Sequence, residues 1–242
     1  MTSNLSTYIK TLILAAMSLL CTDMASAKTY IVCVGIDDYP GEVNDLFPCV
    51  KDARTMEWLF NKNGDSETLL LTDRDATAAN IKKAMTELYS KAKKSDTVIF
   101  FFSGHGNNGS IICRDQEMTY DEICHKFDAS KAKKRFAFIN ACYSGSMRKH
   151  YDVGSINKKQ VMFFLSSRAG ETTLQQPTMH NSIFVAYLQQ GLRGSADTNR
   201  DRTITAHELF EYVSTKVKEA SNYKQHPVMW GKFDDNMTVL KW

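Results

Sequence analysis

Two short apolar runs, each ending in small residues around one reactive side chain, constrain this chain more than anything else in it. Val98-Ile99-Phe100-Phe101-Phe102 leads into Ser103-Gly104-His105-Gly106, and Phe136-Ala137-Phe138-Ile139 leads into Asn140-Ala141-Cys142-Tyr143-Ser144-Gly145. Uninterrupted apolar runs of this length, closed by turn-forming residues, read as strands buried on both faces. If the two strands lie parallel and adjacent, the imidazole and the thiol meet at one sheet edge. The carboxyl ends of the strands are where open α/β sheets bind ligands.

A thiol is only slightly ionised at neutral pH, and an imidazole that accepts its proton makes it a strong nucleophile. His105 and Cys142 therefore point to acyl transfer. Gly106 fits the same chemistry, because its bare backbone N–H, together with the N–H of Cys142, can hold the oxyanion of a tetrahedral intermediate.

These residues resemble the caspase and metacaspase group of cysteine proteases, which carry a His-Gly motif on one strand end and a Cys near Gly on the next. Asn140-Ala141-Cys142-Tyr143-Ser144-Gly145 is similar to the metacaspase Asp-x-Cys-His-Ser-Gly, with Asn140 for the Asp and Tyr143 for the His. Gly35-Ile36-Asp37-Asp38-Tyr39 is similar to the opening Gly-Ile-Asn-x-Tyr, Cys49-Val50-Lys51-Asp52-Ala53 to Cys-x-x-Asp-Ala, and Gln225 to Gly231 to Gln-x-Pro-x-x-x-Gly. The resemblance covers the chain after residue 27. It implies an α/β, three-layer, caspase-like fold: a central, mostly parallel six-stranded sheet with helices on both faces.

The pattern of the rest agrees with one such domain over 28–242. Apolar runs predict strands near 30–35, 67–71, 97–102, 135–140, 161–166 and 237–240, alternating with helices near 50–62, 77–93, 181–192 and 205–220. Thr77 starts the second helix, and Ile81, Met85 and Leu88 recur at helical spacing as its core face. Between the third and fourth strands, 111–127 predicts a small strand pair and a short helix capped by Thr119 with Glu122.

The N-terminus differs in kind. Lys10, the apolar run Leu12 to Leu20 and the small-x-small Ala25-Ser26-Ala27 predict a signal peptide over 1–27, cut after Ala27, and hence a periplasmic or secreted product. The apolar run is too short to span a bilayer, and Leu20 is too large to precede a lipidated Cys21. Export leaves five cysteines, an odd number, so at least one thiol is free, and Cys142 is the candidate. Cys33 reads as a small buried hydrophobe, and Cys113 with Cys124 is the one pair placed to bridge. A net charge of +3 is too small and scattered to indicate nucleic acid or an anionic membrane. The partner expected is a protein or peptide substrate, taken by a monomer, with no organic cofactor.

The resemblance also bears on specificity. It places Asp52, with Asn140 beside it, at the base of the pocket for the residue before the cut bond, which implies a preference for Arg or Lys. Read on its own, Asp52 is equally a first-turn helix carboxylate. An acidic preference needs a cation instead, for which Arg168 is the candidate. The polar connection 143–160, with Arg148, Lys149, Lys158 and Lys159, matches the large-to-small segment linker that such enzymes often cut themselves.

One further pattern stands apart. Asp197, Asn199, Asp201, Thr203 and Glu208 have the oxygen-ligand spacing of a calcium loop. Arg202 occupies the position where a glycine is expected, and Thr205 with Glu208 also forms a capping box that accounts for Glu208 without an ion. The resemblance to metacaspases also implies calcium activation through acidic residues elsewhere, for which Asp115, Asp121 and Glu122 are loose candidates. Two other readings remain open: an inactive caspase-like interaction module, whose signature is loss of the His or the Cys, and a calcium-binding structural protein resting on 197–208 alone.

Overall fold

The computed structural model describes residues 27–62, 64–149, 160–171 and 180–241. Residues 1–26 of the expected signal peptide, most of the 143–160 connection with Lys158 and Lys159, and the side chains of Arg148 and Lys149 lie outside the described residues. Along the chain run β1 (Thr29–Gly35), α1 (Cys49–Lys62), β2 (Ser66–Thr72), α2 (Ala78–Ser90), β3 (Thr97–Ser103), β4 (Gly106–Asn107), β5 (Ser110–Ile112) and β6 (Glu117–Thr119). Then follow α3 (Tyr120–Ala129), β7 (Lys134–Asn140), β8 (Gln160–Leu165), α4 (Ile183–Gln190), β9 (Thr203–Thr205), α5 (Ala206–Ala220), β10 (Val228–Lys232) and β11 (Thr238–Lys241).

The central sheet has six strands in the order β10-β8-β7-β3-β1-β2. All its pairings are parallel except that of β10 with β8. Because successive side chains point to opposite faces, each strand feeds two cores. Val32, Val34, Phe100 and Phe102 pack with Ile81, Met85 and Leu88 of α2 and Ile123 and Phe127 of α3. Ile31, Cys33, Ile99 and Phe101 pack with Met56 and Leu59 of α1, Phe184 and Leu188 of α4, and Leu209 and Val213 of α5. This is the three-layer arrangement expected.

Local signals set the helix starts. The Thr77 hydroxyl accepts from Asn80 N–H at the head of α2, and full capping boxes, Thr119 with Glu122 and Thr205 with Glu208, open α3 and α5. Such a cap contributes about 1 kcal/mol.

One strand assignment is corrected. The sixth strand of the main sheet is β10, not the 237–240 run, which as β11 pairs antiparallel with β9 in a separate two-stranded sheet. The β10 segment follows Pro227 and contains Gly231, whose φ is 142° and where a Cβ would stand 2.0 Å from the Val161 carbonyl oxygen. Proline and glycine weaken a strand signal, and an edge strand is the place that tolerates them. Among the described residues no helix is long and apolar enough to cross a membrane.

Candidate active site

β3 and β7 pair in register from Thr97 with Lys134 to Ser103 with Asn140. His105 and Cys142 lie at equal distances beyond that last pair, so the register delivers imidazole and thiol to the same sheet edge. The two chains stay together past the strands: Gly104 N–H donates to the Asn140 carbonyl at 3.2 Å. A Cβ on Gly106 would stand 2.7 Å from the Cys142 carbonyl oxygen and 2.9 Å from Ala141 Cβ. Only glycine permits this approach.

His105 is held from several sides. Its Nε2 lies 2.7 Å from the Asn44 carbonyl oxygen. A carbonyl only accepts, so in the neutral ring Nε2 carries the hydrogen and Nδ1 keeps the lone pair. The Tyr39 ring packs on the imidazole at 4.6 Å between centroids, and the Tyr39 hydroxyl accepts from His105 N–H at 2.9 Å. Neither partner is prominent in the sequence. Asn44 acts through its main chain, so no residue type signals it, and Tyr39 stands out only as part of a motif. A cleft of about 440 Å³ opens beside the imidazole, lined among others by Tyr39, Asn44, Gly106, Arg114 and Glu117.

The Cys142 turn is clamped too. Tyr143, directly after Cys142, takes φ 56°, a left-handed conformation costing on the order of 1 kcal/mol in a residue with a Cβ. Its N–H donates to the Glu171 carbonyl at 2.9 Å, and Gly145 N–H to the Ser167 carbonyl at 3.0 Å. A Cβ on Gly145 would stand 2.7 Å from that oxygen. The Glu171 carboxylate in turn accepts from His226 N–H at 3.0 Å and faces His226 Nδ1 at 2.9 Å, while Gln225 Nε2 donates to the Ser166 carbonyl. The Gln225-His226-Pro227 segment thus braces the loops under the thiol. Arg168 is mostly exposed and faces Glu171 at 3.8 Å.

All five described cysteines are free, so Cys113 and Cys124 are not bridged. Burial pushes the Cys33 and Cys49 thiols well above their usual value, Cys113 up to about 12, and Cys124 higher still. Cys142 is the one that is not buried.

The hairpin of β4 and β5 sets the direction of the Gly106 N–H. Ile112 N–H donates to the His105 carbonyl at 3.0 Å, and Gly106 faces Ile111 as the next pair. In an antiparallel ladder hydrogen-bonded and non-bonded pairs alternate. Gly106 therefore falls at a non-bonded position, and its N–H turns away from β5.

Asp52, on α1, is fully buried. Its Oδ1 accepts from Asn181 Nδ2 at 2.8 Å and Ser182 N–H at 3.1 Å. Its Oδ2 accepts from Ser103 Oγ at 2.9 Å and Asn140 Nδ2 at 3.3 Å. Burial pushes this carboxyl up to about 6 despite those donors, all of which are neutral. Asn140 Oδ1 is buried without a hydrogen-bond partner; turning the amide over would set that oxygen against the Asp52 carboxylate. Sequence reading found Asp52 and Asn140 but missed Ser103, Asn181 and Ser182, whose hydroxyl and amide types are too common to signal a site.

The 197–208 loop uses its oxygens internally. Asp197 accepts from Asp201 and Arg202 N–H, and Asp201 Oδ1 from Thr203 N–H. Glu208 Oε1 accepts from Thr198, and Oε2 from Thr205. Asp115 accepts from Ala78 N–H, and Glu122 serves its capping box and Lys82. Among the described residues no three His, Cys, Asp or Glu side chains are grouped to hold an ion.

Comparison with known proteins agrees with this layout. The family description "Caspase domain" matches residues 28–237. Metacaspase-1A of Aspergillus fumigatus is 31% identical over 116 residues, which cover 44% of this chain and 28% of the relative. For Metacaspase-1 of Cryptococcus neoformans the figures are 31% over 116 residues, 44% and 25%. The match thus spans little more than a quarter of these relatives. Among solved structures, caspase-1 from Spodoptera frugiperda superposes with a TM-score of 0.66 at 16% identity, covering 88% of this chain and 90% of that one. A Geobacter sulfurreducens protein gives 0.66 at 15% identity, covering 89% and 97%.

Proposed function

Because this chain belongs to the caspase-domain family of cysteine peptidases, we propose that it is an active endopeptidase with Cys142 as nucleophile and His105 as general base. The observation that carries this is the equal placement of the two residues beyond β3 and β7, with His105 Nε2 on the Asn44 carbonyl and Nδ1 left to accept the thiol proton. Cys142 Sγ attacks the peptide carbonyl as its proton passes to Nδ1. The N–H groups of Gly106 and Cys142 receive the oxyanion. The imidazolium then protonates the departing amine, the C–N bond breaks, and an acyl-thioester remains. Water, deprotonated by the imidazole, attacks the thioester; the acid leaves and Cys142 is regenerated.

The side chain before the cut bond is Arg or Lys in this reading. Support comes from the Asp52 carboxylate, which has only neutral partners, and from the orphan Asn140 Oδ1 beside it. An unpaired buried acceptor costs about 1 to 3 kcal/mol, and a guanidinium or ammonium N–H offers what it lacks. The product is exported after removal of residues 1–27, and processes itself after a basic residue in 143–160.

Profiling a peptide library with wild type, Cys142→Ala and His105→Ala tests this. Wild type is expected to cut after Arg or Lys, each variant to lose activity by about a thousandfold or more, and iodoacetamide to label Cys142 ahead of the other thiols. Substantial turnover by either variant removes the dyad, and cleavage after Asp removes the basic pocket.

A further inference from the structure

We propose that the Tyr39 hydroxyl is a spacer, spliced into the β4–β5 hairpin, that sets where the His105 imidazole stands; this rests on the reading of His105 as the base. Tyr39 is a positioning residue in this account. Its ring and its hydroxyl both touch the base.

Residues 105 and 112 face each other at the mouth of the hairpin, where Ile112 N–H donates to the His105 carbonyl at 3.0 Å. In an antiparallel ladder such a pair exchanges two bonds, so the second would run directly from His105 N–H to the Ile112 carbonyl. Instead a hydroxyl stands between them. Tyr39 Oη accepts from His105 N–H at 2.9 Å and donates to the Ile112 carbonyl at 2.9 Å. One side of the pair is closed directly and the other is held open by an oxygen atom, which splays the strands at His105.

The same residue touches the imidazole face at 4.6 Å, so it fixes both the main chain and the ring. Space for the hydroxyl is made by Gly104, where a Cβ would stand 2.6 Å from Tyr39 Oη. The phenol is 4% exposed, and burial pushes it well above its usual value, so it remains a donor across the working pH range. With the hydroxyl removed, a partly buried N–H and C=O lose their partner. The cheapest remedy is the direct ladder bond, which draws the hairpin in and turns the imidazole away from the thiol.

Tyr39→Phe keeps the ring and removes the spacer, whereas Gly104→Ala keeps the phenol and pushes it aside, together with the Phe102 ring, whose Cζ would lie 2.8 Å from the new Cβ. Both are expected to lower kcat by about tenfold to a hundredfold, with KM within about twofold. A purely structural role would not move the second readout, the rate at which iodoacetamide alkylates Cys142 at neutral pH. In both variants that rate should fall by about threefold or more, because a displaced imidazole no longer takes the thiol proton. A folded variant of either kind with wild-type kcat and an unchanged alkylation rate overturns the proposal. Equal alkylation rates in wild type and His105→Ala would instead refute the Cys142–His105 pair.

Discussion

At the ends of β3 and β7 the chemically useful atoms are left free and their neighbours do the structural work. In the 197–208 loop the would-be ligands do that work themselves. His105 is positioned by the Asn44 carbonyl and by Tyr39, and Cys142 by Tyr143, Gly145 and Glu171, so Nδ1 and Sγ remain available. Asp197, Asp201 and Glu208 spend their oxygens on nearby backbone and hydroxyl donors. A residue pattern shows what a loop contains, whereas the surrounding hydrogen bonds show which of its groups have anything left to offer.

The largest expected effect breaks the first half of this contrast. Gly106→Ala places a Cβ within 2.7 Å of the Cys142 carbonyl oxygen, and backbone cannot yield as a flexible side chain can. The proposed oxyanion donor and the main chain of the proposed nucleophile are displaced together, for an expected loss in kcat/KM of about a hundredfold to a thousandfold. Asn199→Ala in the other loop should leave kcat/KM within about twofold. If Gly106→Ala kept more than about a tenth of wild-type activity, the strand ends would not be the built site described here.

How far this was legible in the sequence varies with the kind of signal. β3 and β7 were plain because a strand buried on both faces is an unbroken apolar run, and α2, α3 and α5 because capping residues and helical spacing coincide. β10 was hidden because Pro227 and Gly231 suit an edge strand and mask its periodicity. The placement of His105, Cys142 and Gly106 at one sheet edge was legible because the two apolar runs before them pair in register. Asn44, Ser103, Asn181 and Ser182 were not, because they serve through a main-chain oxygen or through common polar groups brought together only by the sheet order.

Asp52 tests the comparison most sharply, because its oxygens are as fully engaged as those of Glu208. The two differ in depth: burial pushes Asp52 up from 3.8 to about 6. At Glu208 burial also pushes upward, but hydrogen bonds from Thr205 and Thr198 outweigh it and leave the carboxyl below its usual value. Since folding favours protonated Asp52, its contribution to stability is fully present below about pH 4 and is lost as pH rises through about 6, a change of roughly 3 kcal/mol. Relative to Asp52→Asn, the Tm of wild type should therefore fall across that window. Tolerating such a charge makes sense where a cationic side chain is to be bound. Asp52→Ala should then cut the Arg-to-Ala selectivity by about a hundredfold, and kcat/KM on Arg substrates should rise with pH through about 6. An unaltered selectivity ratio would make Asp52 a scaffold carboxylate and put it in the same class as Glu208.

The smallest effect concerns Glu208 and calcium. Glu208 holds the Thr198 and Thr205 ends of the loop, and its carboxylate is already saturated by donors. Binding an ion would mean exchanging those bonds for metal ligation, in a loop where Arg202 makes the sharp turn at φ 63° but carries a cation at the position a calcium loop gives to glycine. Glu208→Ala removes a cap and should lower stability by about 0.5 to 2 kcal/mol, equally with and without calcium, while leaving catalysis unchanged. Millimolar calcium should not shift the wild-type Tm. A saturable rise that Asp197→Asn abolishes would show that the loop trades its internal bonds for the ion, and the contrast between the two regions would then be one of occupancy and not of construction.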